Sequence, residues 1–230
     1  MTTRGRIGFR IAERERTIAA SEIEPFRALP VAAVADAQGK LAGVTRGALR
    51  RISGTVPIVA GPALTVRTAP LDNLFVHKAI DMAEPGDVIV VDAGGVVTGA
   101  IIGELVATTA AKRGVAAIVI DGAVRDVNEL RQLEMSVFAS GVNPLGPQKH
   151  GPGEINFPIA CDGAVVRPGD LVLLDDDGMV VVRHEEIAVV AEKARAIVDH
   201  EMGRKRSIEA GDLERPWVEK TLVDLGLPEA

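Results

Sequence analysis

The sequence predicts an α/β fold, because short apolar runs alternate with segments of helical periodicity through the middle of the chain. The clearest strand is 115–120, VAAIVI, which is rich in β-branched residues and lies between Gly114 and Gly122. Apolar residues at helical spacing precede this strand at 99–113 and follow it at 126–133. An order of strand, helix, strand, helix is typical of a layered α/β domain.

The remaining elements extend this alternation in both directions. Helices are predicted at VAAVADAQGK after Pro30, at 72–83, at 185–202 and at PWVEKTLVDLG, and strands at 62–68, in PGDVIVVDAGG and through 159–183, where Asp177-Gly178 predicts a hairpin. In 99–113 the side chains expected to face inward are Ile101, Ile102, Leu105, Val106 and Ala110, with Gly114 ending the helix. The segment 141–158 is rich in glycine and proline, which predicts a long loop.

This order of elements divides the chain into three predicted parts. Residues 1–24 carry many charges and little periodicity, which predicts an N-terminal arm. Residues 25–184 form the predicted central α/β domain, and residues 185–230 form a predicted C-terminal helical extension.

The composition narrows the class of protein. Hydrophobic residues make up 47% of the 230 residues and charged residues 25%, an ordinary balance for a globular chain of one domain, or of two. The net charge is −6 without clustered Lys and Arg, so nucleic acid is not an expected partner. One cysteine, a charged N-terminus and the lack of a membrane-length apolar run predict a soluble cytoplasmic protein without a membrane partner.

Charged residues follow the strand 115–120 directly, at Asp121, Arg125 and Asp126. Open α/β sheets place their ligand sites at the carboxyl ends of strands, which favours a functional role for Arg125 and Asp126. Local sequence favours a simpler role for Asp126, because Glu129 follows at capping-box spacing and Asp126 is a good helix N-cap. Arg125 has a simple alternative too, as a surface arginine paired with a neighbouring aspartate.

The glycine-rich segment GGVVTGAIIGEL is a second candidate site, since it leads from a strand into a helix. Free backbone N–H groups at a helix start can hold a small carboxylate. The glycine spacing matches neither the dinucleotide fingerprint nor a P-loop.

Other candidate sites are weaker. The run Asp175-Asp176-Asp177-Gly178 has the wrong spacing for an EF-hand loop, and the histidines have no zinc-site spacing. Cys161 has no identifiable base nearby, which favours a buried structural thiol. No serine fits a nucleophile elbow, and no lysine is marked as desolvated.

Two long motifs carry a family resemblance. They are GELVATTAAKRGVAAIVIDGAVRDVNEL and SVFASGVNPLGPQKHGPGEINFPIACDGAVVRPGDLVLLDDDGMVVV. From about residue 25 to 205 the chain resembles the RraA-like and 4-hydroxy-4-methyl-2-oxoglutarate aldolase family, once labelled demethylmenaquinone methyltransferase-like. The resemblance implies an RraA-like swivelling β/β/α domain with the C-terminal helical extension, assembled as a homotrimer or hexamer.

The resemblance also implies roles for individual residues. The metal-anchoring aspartate corresponds to Asp126, and the substrate-binding arginine corresponds to Arg125. A glutamate from a neighbouring subunit, matched to Glu201, completes the metal site. The backbone amides that bind the substrate carboxylate correspond to those of Gly103, Glu104, Leu105 and Val106.

The function implied is that of a class II pyruvate aldolase. Such a carbon–carbon lyase uses Mg²⁺, Mn²⁺ or another divalent cation to cleave 4-hydroxy-2-oxo acids, with oxaloacetate decarboxylation as a side activity. The alternative is a non-enzymatic RraA-type protein that regulates a ribonuclease by protein contact. The helical tail and the retained Arg125-Asp126 pair favour the enzyme.

Overall fold

A computed structural model describes residues 2–14 and 17–228. Its strands are β1 Thr3–Arg6, β2 Phe9–Ala12, β3 Arg50–Ser53, β4 Val59–Thr68, β5 Val88–Ile102, β6 Ala117–Val124, β7 Ser136–Val142, β8 Gly153–Ile155, β9 Ile159–Cys161, β10 Ala164–Val166, β11 Leu171–Asp175 and β12 Gly178–Val182. Its helices are α1 Ala20–Ile23, α2 Val31–Ala37, α3 Leu74–Met82, α4 Glu104–Lys112, α5 Val127–Leu130, α6 Ile187–Glu209 and α7 Pro216–Asp224. Two 3₁₀ turns span Glu24–Ala28 and His184–Glu186.

The predicted α/β class is confirmed by a mixed sheet with helices packed on it. Strands β4, β5, β6 and β7 are parallel neighbours, so their carboxyl ends lie at one edge. The path continues beyond β4 to β8, β2 and β1, and beyond β7 to β3. Strand β11 pairs with the first residues of β4, and β12 pairs with β11. Valine, isoleucine and alanine fill the buried strands, as expected for a parallel sheet covered on both faces.

Three apolar clusters hold these layers together. One lies between the sheet and helices α3 and α4, and a second lies on the opposite face beneath β9 to β12. The third joins α2 and α6 to β11 and β12 through Phe26, Leu29, Leu173 and Val190. The first cluster includes Ile102 and Val124, so its packing extends to the carboxyl ends of β5 and β6.

Strand β5 is longer than the sequence predicts. The segment Gly99–Ile102, predicted as the first turn of a helix, continues β5, and α4 begins only at Glu104. Register shifts at three places let β5 follow β6 to its end, where Ala100 pairs with Ala123 and Ile102 with Val124. Long-range pairing therefore overrides the local helical pattern, and Leu105, predicted to face inward, is 78% exposed.

Most other predicted elements are present with changed bounds. The predicted helix 126–133 is a helix only over Val127–Leu130, and the loop 141–158 contains the short strand β8. The hairpin at Asp177-Gly178 is confirmed, with Asp175 paired to Gly178. The predicted C-terminal helices are confirmed as α6 and α7, and α6 runs to Glu209. In the part of the chain that the structure describes, no helix is both long and apolar enough to cross a membrane.

The segment predicted as an N-terminal arm contains the hairpin β1–β2, whose second strand pairs in parallel with β8. Arg10 Nε donates to Glu154 Oε1 at 2.6 Å, and the N–H of Gly8 donates to the same oxygen at 3.3 Å. Arg14 forms two hydrogen bonds with Asp87, at 2.7 and 2.6 Å, although Asp87 is only 1% exposed. Buried charge-assisted contacts therefore hold this segment to the sheet.

The C-terminal helices leave much apolar surface uncovered. Buried residues of α6 stop at Ala194, and α7 has none. The exposed large apolar side chains of this part are Val189, Met202, Ile208, Leu213, Trp217, Leu222, Leu225 and Leu227.

Candidate active site

The candidate site lies where β5 and β6 end. Ile102 pairs with Val124, so the next residues, Gly103 and Arg125, leave the sheet side by side. The N–H of Arg125 donates to the carbonyl oxygen of Ile102 at 3.0 Å, which continues the pairing by one residue. The two candidate segments of the sequence therefore meet at the carboxyl edge of the sheet, where open α/β sheets place ligands.

Asp126 does not cap the helix that follows it. It occupies the N-cap position of α5 and its carbonyl starts that helix, but its side chain makes no capping hydrogen bond there. Instead, Asp126 has φ 55°, and its Oδ2 accepts a hydrogen bond from the N–H of Glu104 at 3.1 Å. The cap favoured by local sequence is thus wrong, and the carboxylate lies at the N-terminus of α4.

Gly103 makes this contact possible by lacking a side chain. Its φ of −140° is accessible to any residue, so the requirement is for space and not for conformation. A Cβ at this position would overlap Oδ2 of Asp126 and lie 2.9 Å from Cγ of Arg125. The glycine therefore lets the two charged side chains lie against the start of α4.

Arg125 has an incompletely satisfied guanidinium group. Its Nε lies 3.5 Å from Oδ2 of Asp126, an ion-pair distance, yet this buried nitrogen makes no hydrogen bond with the described residues. On the other side, a Cβ on Gly146 would lie 2.5 Å from Nη1. The group is therefore confined between Asp126 and Gly146, while its side chain is 43% exposed and keeps outer N–H groups for a ligand oxygen.

The first turn of α4 supplies further donors. The N–H of Glu104 is taken by Asp126, while those of Leu105 and Val106 have no acceptor one turn earlier in the helix. Free N–H groups at a helix start bind anions, and the helix dipole favours negative charge there. The helix start that the glycine-rich segment leads to thus lies after GGVVTG, at residues 103–106, and an anion site there stays a prediction.

These groups line a pocket of about 210 Å³. Its lining residues are Asn73, His77, Ile102, Gly103, Leu105, Val106, Arg125, Asp126, Pro147 and Lys149. Glu104 contributes its N–H to Asp126 and is not itself part of the lining. Glu201 is exposed on α6 and does not line this pocket, so its role in a neighbouring subunit's site stays a prediction.

A second wall comes from α3 and the loop before β8, and the sequence assigned none of its residues to the candidate site. Asn73 is 2% exposed, donates from Nδ2 to the carbonyl oxygen of Ile101 at 3.0 Å, and leaves its buried Oδ1 without a hydrogen-bond partner among the described residues. Its position in the segment DNLFVHK indicated a helix start, which is correct but says nothing about the pocket. No local signal connects Asn73 with residues near 125.

The loop that carries Lys149 is fixed to the start of α3. Asp72, which is 3% exposed, accepts hydrogen bonds at Oδ2 from the N–H groups of His150 and Gly151, at 2.6 and 2.9 Å. The backbone adds two more bonds, from Asn73 to Gln148 at 3.0 Å and from Gln148 to Leu71 at 2.6 Å. This wall of the pocket is therefore preorganised.

His77 belongs to the same wall. The pKa of its imidazole is lowered, first by partial desolvation and then by the positive charge of Lys149, against the smaller opposing effect of Asp81. The side chain is consequently neutral around pH 7, since even its ordinary pKa lies below that value.

Cys161 is fully buried, and burial raises the pKa of its thiol well above the ordinary value, with Asp121, Asp92 and Asp162 adding to the rise. A thiol in this state is a poor nucleophile and a poor metal ligand. The structure thus agrees with a structural role for this residue.

The residues present fit a hard divalent cation. Among the described residues, no group of three His, Cys, Asp or Glu side chains is placed to hold a metal ion. Asp126 nevertheless has a 40% exposed side chain at the pocket, and its Oδ1 accepts no hydrogen bond from those residues. Mg²⁺ takes one or two protein carboxylates and fills its coordination with water, so one aspartate is a sufficient anchor.

Comparison with known proteins decides the family. The family model described as "RraA-like: Aldolase/RraA" matches residues 31–181. The chain belongs to this family. It is 37% identical to a Halalkalibacterium halodurans protein named "Putative 4-hydroxy-4-methyl-2-oxoglutarate aldolase", over 87% of this chain and 95% of the relative.

Solved structures of RraA-like proteins share the fold. The RNA-processing inhibitor RraA from Thermus thermophilus is 30% identical, with a TM-score of 0.61 over 66% of this chain and 92% of its own. Streptomyces coelicolor RraAS2, described as an unusual member of the RNase ES inhibitor RraA family, is 26% identical. Its TM-score is 0.72 over 84% of this chain and 98% of its own. The RraA-like fold with a long C-terminal helix is thereby confirmed.

Proposed function

We propose that the pocket is the active site of a divalent-metal-dependent aldolase, which cleaves 4-hydroxy-4-methyl-2-oxoglutarate and similar 4-hydroxy-2-oxo acids to pyruvate. The observation that carries the proposal is the convergence of three groups in one pocket: the Asp126 carboxylate, the Arg125 guanidinium and the first turn of α4. The name of the Halalkalibacterium halodurans relative supports the same reaction.

The reaction requires this chain's residues to bind the substrate carboxylate, to stabilise the enolate and to anchor the cation. The N–H groups of Leu105 and Val106 bind the carboxylate next to the keto group, at the positive end of the helix dipole. As the C3–C4 bond breaks, its electron pair passes to the enolate and the C4 hydroxyl gives its proton to water, which leaves a carbonyl at C4. A proton from water then adds to C3 to give pyruvate. Arg125 donates to the enolate oxygen, where negative charge develops.

Asp126 is the proposed anchor for Mg²⁺, Mn²⁺ or another divalent cation, which supplies Lewis-acid stabilisation of the enolate. Its bond from Glu104 and its ion pair with Arg125 orient the carboxylate and leave Oδ1 for the cation. The same enolate follows loss of CO₂ from oxaloacetate, so decarboxylation of oxaloacetate is the proposed side activity.

The proposed assembly is a homotrimer or a hexamer, in which Glu201 of one subunit completes the metal site of the next. The uncovered apolar side chains of α6 and α7, Trp217 among them, support burial against another copy of the chain. Light scattering at micromolar concentration tests this assembly, and a mass of 24.1 kDa, that of one chain, would contradict it.

A non-enzymatic regulator of ribonuclease activity is the second candidate, favoured by the names of the Thermus and Streptomyces structures. The enzyme is favoured by the pocket that contains Arg125, Asp126 and the free N–H groups at the start of α4, since a regulator that acts by protein contact alone needs no such pocket.

Asp126→Asn tests the proposed function directly. An asparagine oxygen can still accept from the Glu104 N–H, so the fold should survive, but the charge that a hard cation needs is lost. We expect metal-dependent pyruvate release to fall by on the order of a thousandfold, which is about 4 kcal/mol of transition-state stabilisation.

The control is Glu129→Gln, which removes a nearby carboxylate that does not line the pocket. Pyruvate release is measured with Mg²⁺ and with chelator, metal affinity by calorimetry, and folding by thermal unfolding. Wild-type activity in a folded Asp126→Asn variant would remove the aldolase from consideration at this pocket.

A further inference from the structure

The pocket has a second wall whose nitrogen groups take no part in the proposed bond cleavage. His77 and Lys149 both line it, and neither side chain makes a hydrogen bond or an ion pair with the described residues. They come from different elements, α3 and the loop before β8. Asp126 is the single acidic residue among the described residues that line the pocket.

The backbone segments that carry these two side chains are held in a fixed relation. Asp72 accepts from His150 and Gly151, the two residues after Lys149, and Asn73 and Gln148 are joined by their backbones. His77 follows Asn73 by one helical turn, and its N–H donates to the Asn73 carbonyl at 3.0 Å. A ligand thus meets both groups without first having to order the loop.

The two walls contact different ends of a substrate. Under the proposed function, α4, Arg125 and Asp126 bind the carboxylate and keto group of the pyruvyl end. The substituents on C4, beyond the bond that breaks, then face α3 and Lys149. A positive and hydrogen-bonding wall favours an anionic group at that end.

We propose that His77 is a specificity-determining residue, which contacts the C4 end of the substrate beside Lys149 and selects 2-oxo acids that carry a second carboxylate. The inference rests on the proposed function, because the pyruvyl end defines which wall is distal. Lys149 supplies the general attraction for anions. The short imidazole on a helix supplies a positioned donor, which discriminates a carboxylate from a methyl group.

The electrostatics of the wall agree with this role. Desolvation and the charge of Lys149 lower the pKa of His77 in the unliganded pocket, and a neutral imidazole still has one N–H to donate. The charged groups around it are Lys149 from the loop, Asp81 from α3, which is paired with Arg113, and the Arg125–Asp126 pair across the pocket.

A matched pair of unreactive ligands tests the inference. 2-Oxoglutarate and 2-oxopentanoate have the same chain length and the same pyruvyl end, but the first ends in a carboxylate and the second in a methyl group. Their dissociation constants are measured by calorimetry with Mg²⁺ for the wild type, His77→Leu, His77→Gln and the control Lys78→Leu. Lys78 is the next residue of α3 and does not line the pocket.

We expect the wild type to bind 2-oxoglutarate more tightly than 2-oxopentanoate. In His77→Leu the ratio of the two dissociation constants should fall about tenfold, which is the effect of one hydrogen bond to a charged group. His77→Gln, which keeps a donor, should recover part of it, and Lys78→Leu should keep all of it. A preference unchanged in folded His77→Leu would overturn the role of His77 while leaving the aldolase intact. If the wild type binds neither 2-oxo acid, the proposed function itself fails, and the role of His77 with it.

Discussion

A Cβ on Gly103 would overlap Oδ2 of Asp126. Gly103 follows the end of β5 and Asp126 lies just after the end of β6, so their contact brings these two separate segments of the sequence into one site. The same relationship gives the first prediction.

Gly103→Ala should displace Asp126 and lower metal-dependent pyruvate release by at least about tenfold, with a modest fall in melting temperature. The cause is steric, since φ at this position suits alanine. Lys112→Ala, at the exposed end of α4 and outside the pocket lining, is the control and should keep both activity and stability. Full activity in Gly103→Ala would show that Asp126 need not lie where the structure has it.

Arg125→Lys should lower the turnover number by tenfold or more while metal affinity changes little. Lysine keeps the charge but loses the planar group that fits between Asp126 and Gly146. Gly146→Ala is the companion, because its Cβ would press on Nη1 and move the guanidinium without removing it. Steady-state kinetics on both variants measure the effect, and equal turnover in all three proteins would exclude Arg125 from catalysis.

The His77 titration is directly measurable by NMR of its ring protons. Its pKa should lie below the ordinary histidine value. Lys149→Met removes a nearby positive charge and should raise this pKa, whereas Asp81→Asn removes a negative charge and should lower it further. An unchanged pKa in Lys149→Met would mean that the two side chains do not share a wall.

Glu154 should contribute to stability in a pH-dependent way. Burial raises the pKa of this carboxyl, but the hydrogen bonds from Arg10 and Gly8 and the charges of Arg10 and Arg67 outweigh burial, so the pKa is lowered. Its stabilisation is therefore complete above the unfolded-state pKa and is lost as pH falls through the lowered folded-state value.

Glu154→Gln should accordingly reduce the free energy of unfolding by about 1–3 kcal/mol at pH 7, with a difference from wild type that shrinks toward pH 3. Urea unfolding across this pH range checks the sign. Glu134→Gln, at an exposed position that forms no ion pair with the described residues, serves as the control. A difference that grows on acidification would contradict the pKa direction.

The fold class could be predicted from the sequence because the patterns that indicate its strands and helices are local. The run VAAIVI is buried as β6, and the α6 and α7 patterns form helices as predicted. The extent of β5 was missed because GAIIGEL has helical periodicity, and only pairing with Ala123 and Val124 makes Gly99–Ile102 a strand.

The site was predictable in part. Arg125, Asp126, Gly103, Leu105 and Val106 do lie together in one pocket, as the family resemblance implies. The φ of Asp126 and its bond to Glu104 depend on tertiary structure, so local capping rules gave the wrong partner. No local sequence pattern indicates the wall of Asn73, His77 and Lys149. These residues come together because Asp72, at the start of α3, accepts hydrogen bonds from the loop that carries Lys149.

The carboxylate of Asp72 has a consequence for the rates of ligand exchange. It holds the loop that carries Lys149 by two backbone N–H groups, and Asp72 is only 3% exposed. Moving this loop away from α3 would break both bonds at once, so we expect the wall to stay in place while ligands enter and leave. Association should then be a single step whose rate rises linearly with ligand concentration, and inhibitors built on the pocket's present shape would need no conformational adaptation.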